Sequence, residues 1–305
     1  MAMAKLSQKS SVSRSNELIR GQLTVTTLHQ KRLIYSVMSA INPCVDVLDG
    51  ATDQQVEYYY RQNFDETLFT FDYREYMAFW GLTSHAMTKE ISKACKQVID
   101  IKLYSYLMDD GTVRDLNAIE LAEHKGNKII LRLTPSIMPY MINLHRRLMG
   151  YTSIPLIYMV DFQSRYSFKL MEVLLSYYSR GNKTVEIDLA ELRKTFDCEG
   201  KHKLYADFKR RVIDIAVEEI EKIATEKAKI VVEEVRSATG GRGRPSVTAL
   251  RFEFDFPNYR AAREASKKSP AVQGDVAGYG GPTKRMLELK AEVEKLRVSG
   301  ELQDY

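Results

Sequence analysis

Cysteine is scarce in this chain of 305 residues: Cys44, Cys95 and Cys198 lie far apart and form no CxxC spacing. That argues against a disulfide framework or a thiolate zinc site and suits buried thiols of a reducing compartment. No run approaches the 18 apolar residues of a membrane span, and the opening MAMAKLSQKS lacks an apolar signal core. The expectation is a cytoplasmic protein with no membrane partner. His29, His85, His124, His145 and His202 include no closely spaced pair to hold a metal. The P-loop pattern is missing too, which argues against an intrinsic nucleotidase. A DNA-nicking enzyme needs a nucleophilic tyrosine beside a metal; the 18 tyrosines offer the first and nothing offers the second. The sequence therefore nominates no catalytic residue, no cofactor and no metal ligand.

What is present is core and charge. The hydrophobic share is 44% and the aromatic share 10%, enough to bury a real core over about two domains. The net charge of +5 permits nucleic acid as a partner without requiring it.

The most informative stretch is Lys203 to Ile223, KLYADFKRRVIDIAVEEIEKI. At helical spacing, Leu204, Phe208, Val212, Ile215 and Ile223 fall on one side. Lys203, Ala206, Asp207 and Arg210 fall on the other, with Lys209 and Arg211 on the shoulders. Positive charge fills the first half, while Asp214, Glu218, Glu219 and Glu221 crowd the second. A helix that enters DNA by its N-terminal half has this polarity, but so does a solvated surface helix. The residues downstream favour DNA. Ala228 to Val235 reads as a strand, Ser237 to Ser246 as a Gly- and Arg-rich turn, and Val247 to Phe256 as an alternating strand. Helix, strand, basic tip, strand is the order of a winged helix.

The rest of the chain follows the same order once more. Residues 1–15 are expected to be a disordered arm. A helix is predicted from Thr26 or Thr27 to Ile41, a polar loop over Asp46 to Asn63, a strand over Thr67 to Phe71 and a helix over Tyr73 to Trp80. The next helix runs from Thr83 or Ser84 to Ile99, with Met87, Ile91, Ala94 and Val98 buried and Lys89, Lys93 and Lys96 outward. Lys102 to Met108 and Lys128 to Leu133 read as strands around a long polar tip, Asp109 to Asn127. Thr134 to Leu148 reads as a helix opened by Pro135. Ser164 to Tyr178 then begins a second unit, with Phe168, Met171, Leu174 and Leu175 inward. Thr184 to Ile187 is its first strand, and Asp188 caps Leu189 to Phe196. The reading is an α+β chain of two tandem winged-helix domains, mostly helical with small β-hairpin wings. Its boundaries are 16–149 and 150–260. A flexible tail covers 261–305, in which Lys284 to Val298 either forms a short helix on a partner or frays in solution.

From Ser164 onward, SRYSFKLMEVLLSYY, DLAELRKTFD, KLYADFKRRVIDIAVEEI and the Gly-Arg wing resemble the C-terminal winged helix of iteron-binding replication initiators, the Rep proteins of theta-replicating plasmids. SRSNELI (Ser13 to Ile19) resembles the start of that family's first domain. The resemblance spans Ser13 to Asn258. It implies a plasmid-encoded bacterial protein that binds directly repeated origin sites as a monomer. It also implies a dimer, formed through the first domain, that represses its own promoter at an inverted-repeat operator. Family members help open A·T-rich DNA and recruit host replication proteins such as the helicase. The competing reading is a winged-helix transcriptional repressor with no replication role.

Residue roles follow from the wheel. Arg210 points away from the apolar stripe and is the candidate to read a guanine edge, with Lys203 beside it. Lys209 and Arg211 suit phosphates, although an ion pair within the domain would equally occupy Arg211. Arg242 and Arg244 suit an A·T-rich minor groove. Lys89, Lys93 and Lys96 suit backbone contacts, since an ammonium is a point charge without a bidentate fork.

Overall fold

Strand pairing shows that the two halves of the chain share one topology. The computed structural model describes residues 3–23, 27–43, 48, 50–82, 86–107, 113–148, 150–223, 227–237 and 245–267. In the first half come β1 (Ser11–Ser15), α1 (Asn16–Arg20), β2 (Gln22–Leu23), α2 (Leu28–Ser39), α3 (Asp53–Gln62) and β3 (Leu68–Asp72). They are followed by α4 (Tyr73–Phe79), α5 (Ala86–Val98), β4 (Lys102–Leu107), β5 (Val113–Asn117), β6 (Ile119–Lys125) and β7 (Lys128–Leu133). After β8 (Tyr151–Pro155) the second half has α6 (Arg165–Tyr178), β9 (Thr184–Asp188), α7 (Leu189–Thr195), α8 (Tyr205–Phe208), a π-helical stretch Lys209–Asp214 and α9 (Ile215–Glu221). It closes with β10 (Lys229–Arg236), β11 (Val247–Asp255) and α10 (Tyr259–Lys267).

One antiparallel sheet has the order β3-β7-β6 and another β9-β11-β10. In each, the strand before the helix pair returns against the last strand of the hairpin, which is the winged-helix topology twice over. β2-β4-β5 form a third sheet, and β1 pairs with β8.

Several local expectations are corrected here. The polar stretch expected as a loop over Asp46 to Asn63 contains α3. Thr52 accepts from Gln55 N, and the Gln55 side chain accepts from Thr52 N, a reciprocal capping box that starts the helix. The first wing is short. Lys125 pairs with Lys128, so Gly126 and Asn127 make a two-residue turn, with Gly126 at φ 60°. The long tip assigned to Asp109 to Asn127 therefore contains two strands, β5 and β6, and Lys102 to Leu107 belongs to the third sheet. Thr134 to Leu148 is not one helix. Pro139 lacks the N–H a continuing helix needs, and Pro135–Tyr140 and Leu144–Arg146 are separate 3-10 turns around a left-handed Asn143. The arm expected to be disordered over 1–15 ends in strand β1, and the stretch from 261 expected to be flexible begins inside α10. The expected helix over Lys284 to Val298 and the expected caps Thr83 and Ser84 lie outside the described residues.

Helix α6 is the spine. Every residue from Ser167 to Ser176 is buried. An amphipathic surface helix cannot show that pattern; a helix covered on both sides must. It packs on α9 at one side and on α1 and β8 at the other. Phe168, expected to face its own unit, meets Tyr35 edge-on at 5.3 Å between ring centres and lies 6.3 Å from Trp80. The Trp80 indole donates to Ser36 Oγ at 3.0 Å. Polar side chains of α6 are buried against the first half as well. Glu172 accepts from Arg14 and, at 3.4 Å, from Lys31, while Lys169 Nζ donates to the carbonyls of Ile19 and Gly21 at 2.6 and 2.8 Å. α10 reaches back across the same region, where Tyr259 OH donates to Ser153 O at 2.9 Å.

Candidate nucleic-acid interface

In the second unit the turn between α7 and α8 decides where the basic helix points. That turn needs left-handed backbone at two non-glycine residues, Asp197 (φ 53°) and His202 (φ 50°), an unfavourable conformation unless the surroundings hold it. Arg193, in the last turn of α7, does the holding. Its Nη1 donates to Lys201 O and His202 O at 3.1 and 2.8 Å, and its Nη2 donates to Lys203 O at 3.2 Å. The same guanidinium lies 4.7 Å from the centre of the Phe208 ring. Asp197 adds ion pairs to Arg165 at 3.4 Å and Lys201 at 3.3 Å.

The helix that follows runs through α8, the π stretch and α9 without a break. Each i→i+5 hydrogen bond puts one more residue into a turn than an α-helix does, so the inward face shifts along the sequence. Phe208, Val212, Ile213, Ala216, Ile220 and Ile223 are buried. Leu204 and Ile215, both expected in the apolar stripe from a pure 3.6-residue period, are exposed instead. Leu204 is the N-cap residue with extended backbone, outside the helical period, and Ile215 follows directly on the π stretch that shifts the inward face.

On the outer face Lys203, Ala206, Arg210 and Arg211 are exposed and Lys209 is half-buried. Asp207 lies among them. Arg210 Nη2 donates to its carboxylate at 3.1 Å, and Arg211 Nε is 3.7 Å away. Lys209 pairs with Asp214 at 2.6 Å. The ion pair weighed for Arg211 is therefore present, and Arg210 shares it. Exposed pairs of this kind contribute about 0–1 kcal/mol, so a phosphate or base edge displaces them cheaply. Until then they hold two guanidinium groups over one patch.

The acidic half of the helix has structural partners of its own. Glu219 accepts from Ser167 Oγ at 2.5 Å and Ser164 N at 3.1 Å, and Glu221 accepts from Ile230 N at 2.9 Å. These carboxylates fasten the helix to α6 and to the wing. At the other end Tyr205 OH donates to Glu234 of β10 at 2.9 Å, and Glu234 also pairs with Arg236. Burial and the Glu234 hydrogen bond push the Tyr205 hydroxyl well above the ordinary tyrosine range, so it keeps its proton and remains the donor. Arg242 and Arg244 lie outside the described residues. The strands that lead to them stay paired up to Ser237 N→Ser246 O, 2.9 Å.

In the first unit Lys89, Lys93 and Lys96 are exposed and, with Thr88 and Ser92, line an open groove of about 320 Å³ on α5. Its polar floor is fixed from the side. Tyr73 OH lies 2.8 Å from Thr88 Oγ1, Ser92 Oγ lies 2.7 Å from His124 Nδ1, and the Tyr73 and His124 rings stack at 4.7 Å. Burial lowers the His124 pKa below the ordinary histidine value, which favours the neutral ring there. The three lysines thus share one helix face, as their i, i+4, i+7 spacing requires.

Sequence patterns agree with this geometry. The pattern described as "Initiator Replication protein, WH1" matches residues 11–175, and "Initiator Rep protein, WH2" matches 188–254. The chain belongs to the initiator replication protein family. The first match extends through most of α6, in keeping with the contacts that helix makes to the first half. A search of curated proteins finds no match. Among solved structures, "Crystal structure of Pi initiator protein in complex with iteron DNA" is similar at 21% identity and a TM-score of 0.61, over 82% of this chain and 98% of that one. A second, "SeMet derivatives of domain2 and domain 3 of RctB", reaches 12% identity and a TM-score of 0.37 over 66% and 82%. At that identity the first neighbour shows the fold, two winged helices in one chain.

Sequence reasoning missed Arg193, Tyr205 and Glu234, which hold the entry to the basic helix in place. The basic residue in the last turn of α7 was legible; that it reaches three carbonyls was not. Among the described residues no cluster of His, Cys, Asp or Glu is arranged to hold a metal, and no helix is long and apolar enough to cross a membrane.

Proposed function

We propose that this protein initiates plasmid replication by binding directly repeated origin DNA through both winged helices. The observation that carries the reading is the helix from Tyr205 to Glu221. It is braced at its entry by Arg193 and at its exit by Glu219 and Glu221, and it offers Arg210 and Arg211 to solvent, with Lys203 exposed just ahead of it. Recognition helices read base edges with this N-terminal part. Arg210 is suited to guanine O6 and N7, Lys209 and Arg211 to phosphates, and Arg242 and Arg244 to the minor groove beside them. Lys89, Lys93 and Lys96 supply sequence-independent contacts in the first unit. The similar structure of Pi initiator protein in complex with iteron DNA supports the choice of repeated sites.

The wider role follows the family. In this reading 16–149 carries dimerisation and backbone contacts, and 150–260 carries sequence specificity. The DNA-bound monomer helps open A·T-rich DNA and engages host replication proteins, and the dimer represses its own promoter. The chemistry is binding and remodelling, without a catalytic residue.

The test is selection of bound sites from random DNA, followed by footprinting of the DNA that flanks the gene. Protection of a tandem array beside an A·T-rich stretch, with repeats in phase at multiples of about 10–10.5 bp, supports initiation. A single inverted repeat over a promoter would replace it with a repressor, and binding without sequence preference would overturn both.

A further inference from the structure

Leu204 is 70% exposed at the entry to the helix that presents Arg210. A lone surface leucine needs no explanation in general; the position of this one does. It sits at the N-cap, where Ser, Thr, Asp or Asn would add a capping bond, and it makes none. Its backbone is fixed on both sides, by the Arg193 bonds to the three preceding carbonyls and by the Tyr205–Glu234 bond that follows. In sequence it directly follows the exposed Lys203 and stands two residues before the exposed Ala206, at the entry to the helix that carries the exposed Arg210.

A rigid apolar group at the N-terminal end of a helix in the major groove meets base edges there. The apolar group those edges offer is the C5-methyl of thymine, and a short aliphatic side chain is what reads it. We propose that Leu204 reads a thymine C5-methyl group and so sets specificity at one base pair next to the one read by Arg210. Lysine and arginine on either side hold the duplex by charge, and Leu204 adds a contact that charge cannot make. Cytosine, which lacks the methyl, leaves the leucine face against its amino group. This inference rests on the helix being the DNA-reading element.

The test needs a duplex carrying the best site selected from a random pool, with each thymine replaced in turn by uracil, which differs only in lacking the methyl. Wild-type protein is expected to lose about fourfold in affinity, the value of one methyl of apolar burial, at a single position. Leu204→Ala is expected to bind the thymine and uracil duplexes alike at that position, while retaining its preference at the guanine assigned to Arg210. If wild type binds specifically but tolerates uracil everywhere, the leucine assignment fails and the interface reading stands. If the thymine–uracil difference persists in Leu204→Ala, another residue reads the methyl and the assignment is equally overturned. Loss of all sequence preference in the wild type would remove the interface itself.

Discussion

Glu172→Gln is the sharpest probe of how the two winged helices are joined. Glu172 is buried with Arg14 and Lys31, all three at side-chain exposures of 1–4%. Lys169 belongs to the same cluster, since the charges of Lys31 and Arg14 act on it. One carboxylate thus stands among three basic groups drawn from β1, α2 and α6. Glutamine has nearly the same shape, so the change leaves no cavity and removes only the charge. Breaking a buried pair from one side costs about 3–5 kcal/mol, because the remaining charge keeps its desolvation penalty without its partner. For a chain of this size that corresponds to a fall in Tm on the order of 10 °C. Thermal and urea unfolding of wild type and variant give the number. The combined change Arg14→Met, Lys31→Met and Glu172→Met removes both sides of the two ion pairs and leaves Lys169 on the Ile19 and Gly21 carbonyls, and its stability is expected within about 1 kcal/mol of wild type or above it. A Glu172→Gln loss below about 1 kcal/mol would refute the reasoning, as would a triple variant that falls as far as the single one.

Four further outcomes are expected. Arg210→Ala should cost roughly 1–3 kcal/mol at one base position and relax the preference there, measured by binding to single-base variants of the selected site. Lys89→Ala should weaken binding to all sequences alike and reduce the slope of log affinity against log salt by about one; a base-specific loss would contradict the phosphate role. Arg193→Ala should free the α7–α8 turn, costing about 1–2 kcal/mol in stability and more in specific than in non-specific affinity; equal losses would argue against a positioning role. Burial pushes the Lys169 ammonium well below the ordinary lysine value of 10.5. The unfolded chain then binds more protons between the lowered and the ordinary value, so stability rises with pH through that window. Wild type should therefore gain on Lys169→Met as pH is raised from about 7 to about 9.5, and an unchanging difference in unfolding free energy would count against it.

The sequence by itself determined the repeat of winged helices and the exposed basic faces of α5 and of the helix that follows Lys203. Both are written in periodicities that survive folding: the 3.6-residue stripe of α5, the alternation of β11 and the lysines at 89, 93 and 96. It also carried two signals that went unread, the capping box at Thr52 and Gln55 and the Gly126-Asn127 turn. Only the tertiary structure decided the rest, because the rest depends on what meets what. Leu204 and Ile215 look like core on a wheel, but Leu204 is the extended N-cap residue ahead of the helix, and a π stretch that no spacing announces turns the helix past Ile215. Lys169 and Glu172 look like a solvated face of α6. They are buried because β1 and α2 lie over that face, and one chain's local pattern cannot report a covering element drawn from residues about 140 to 160 positions away. The charges were legible; their partners became so only when distant segments were brought together.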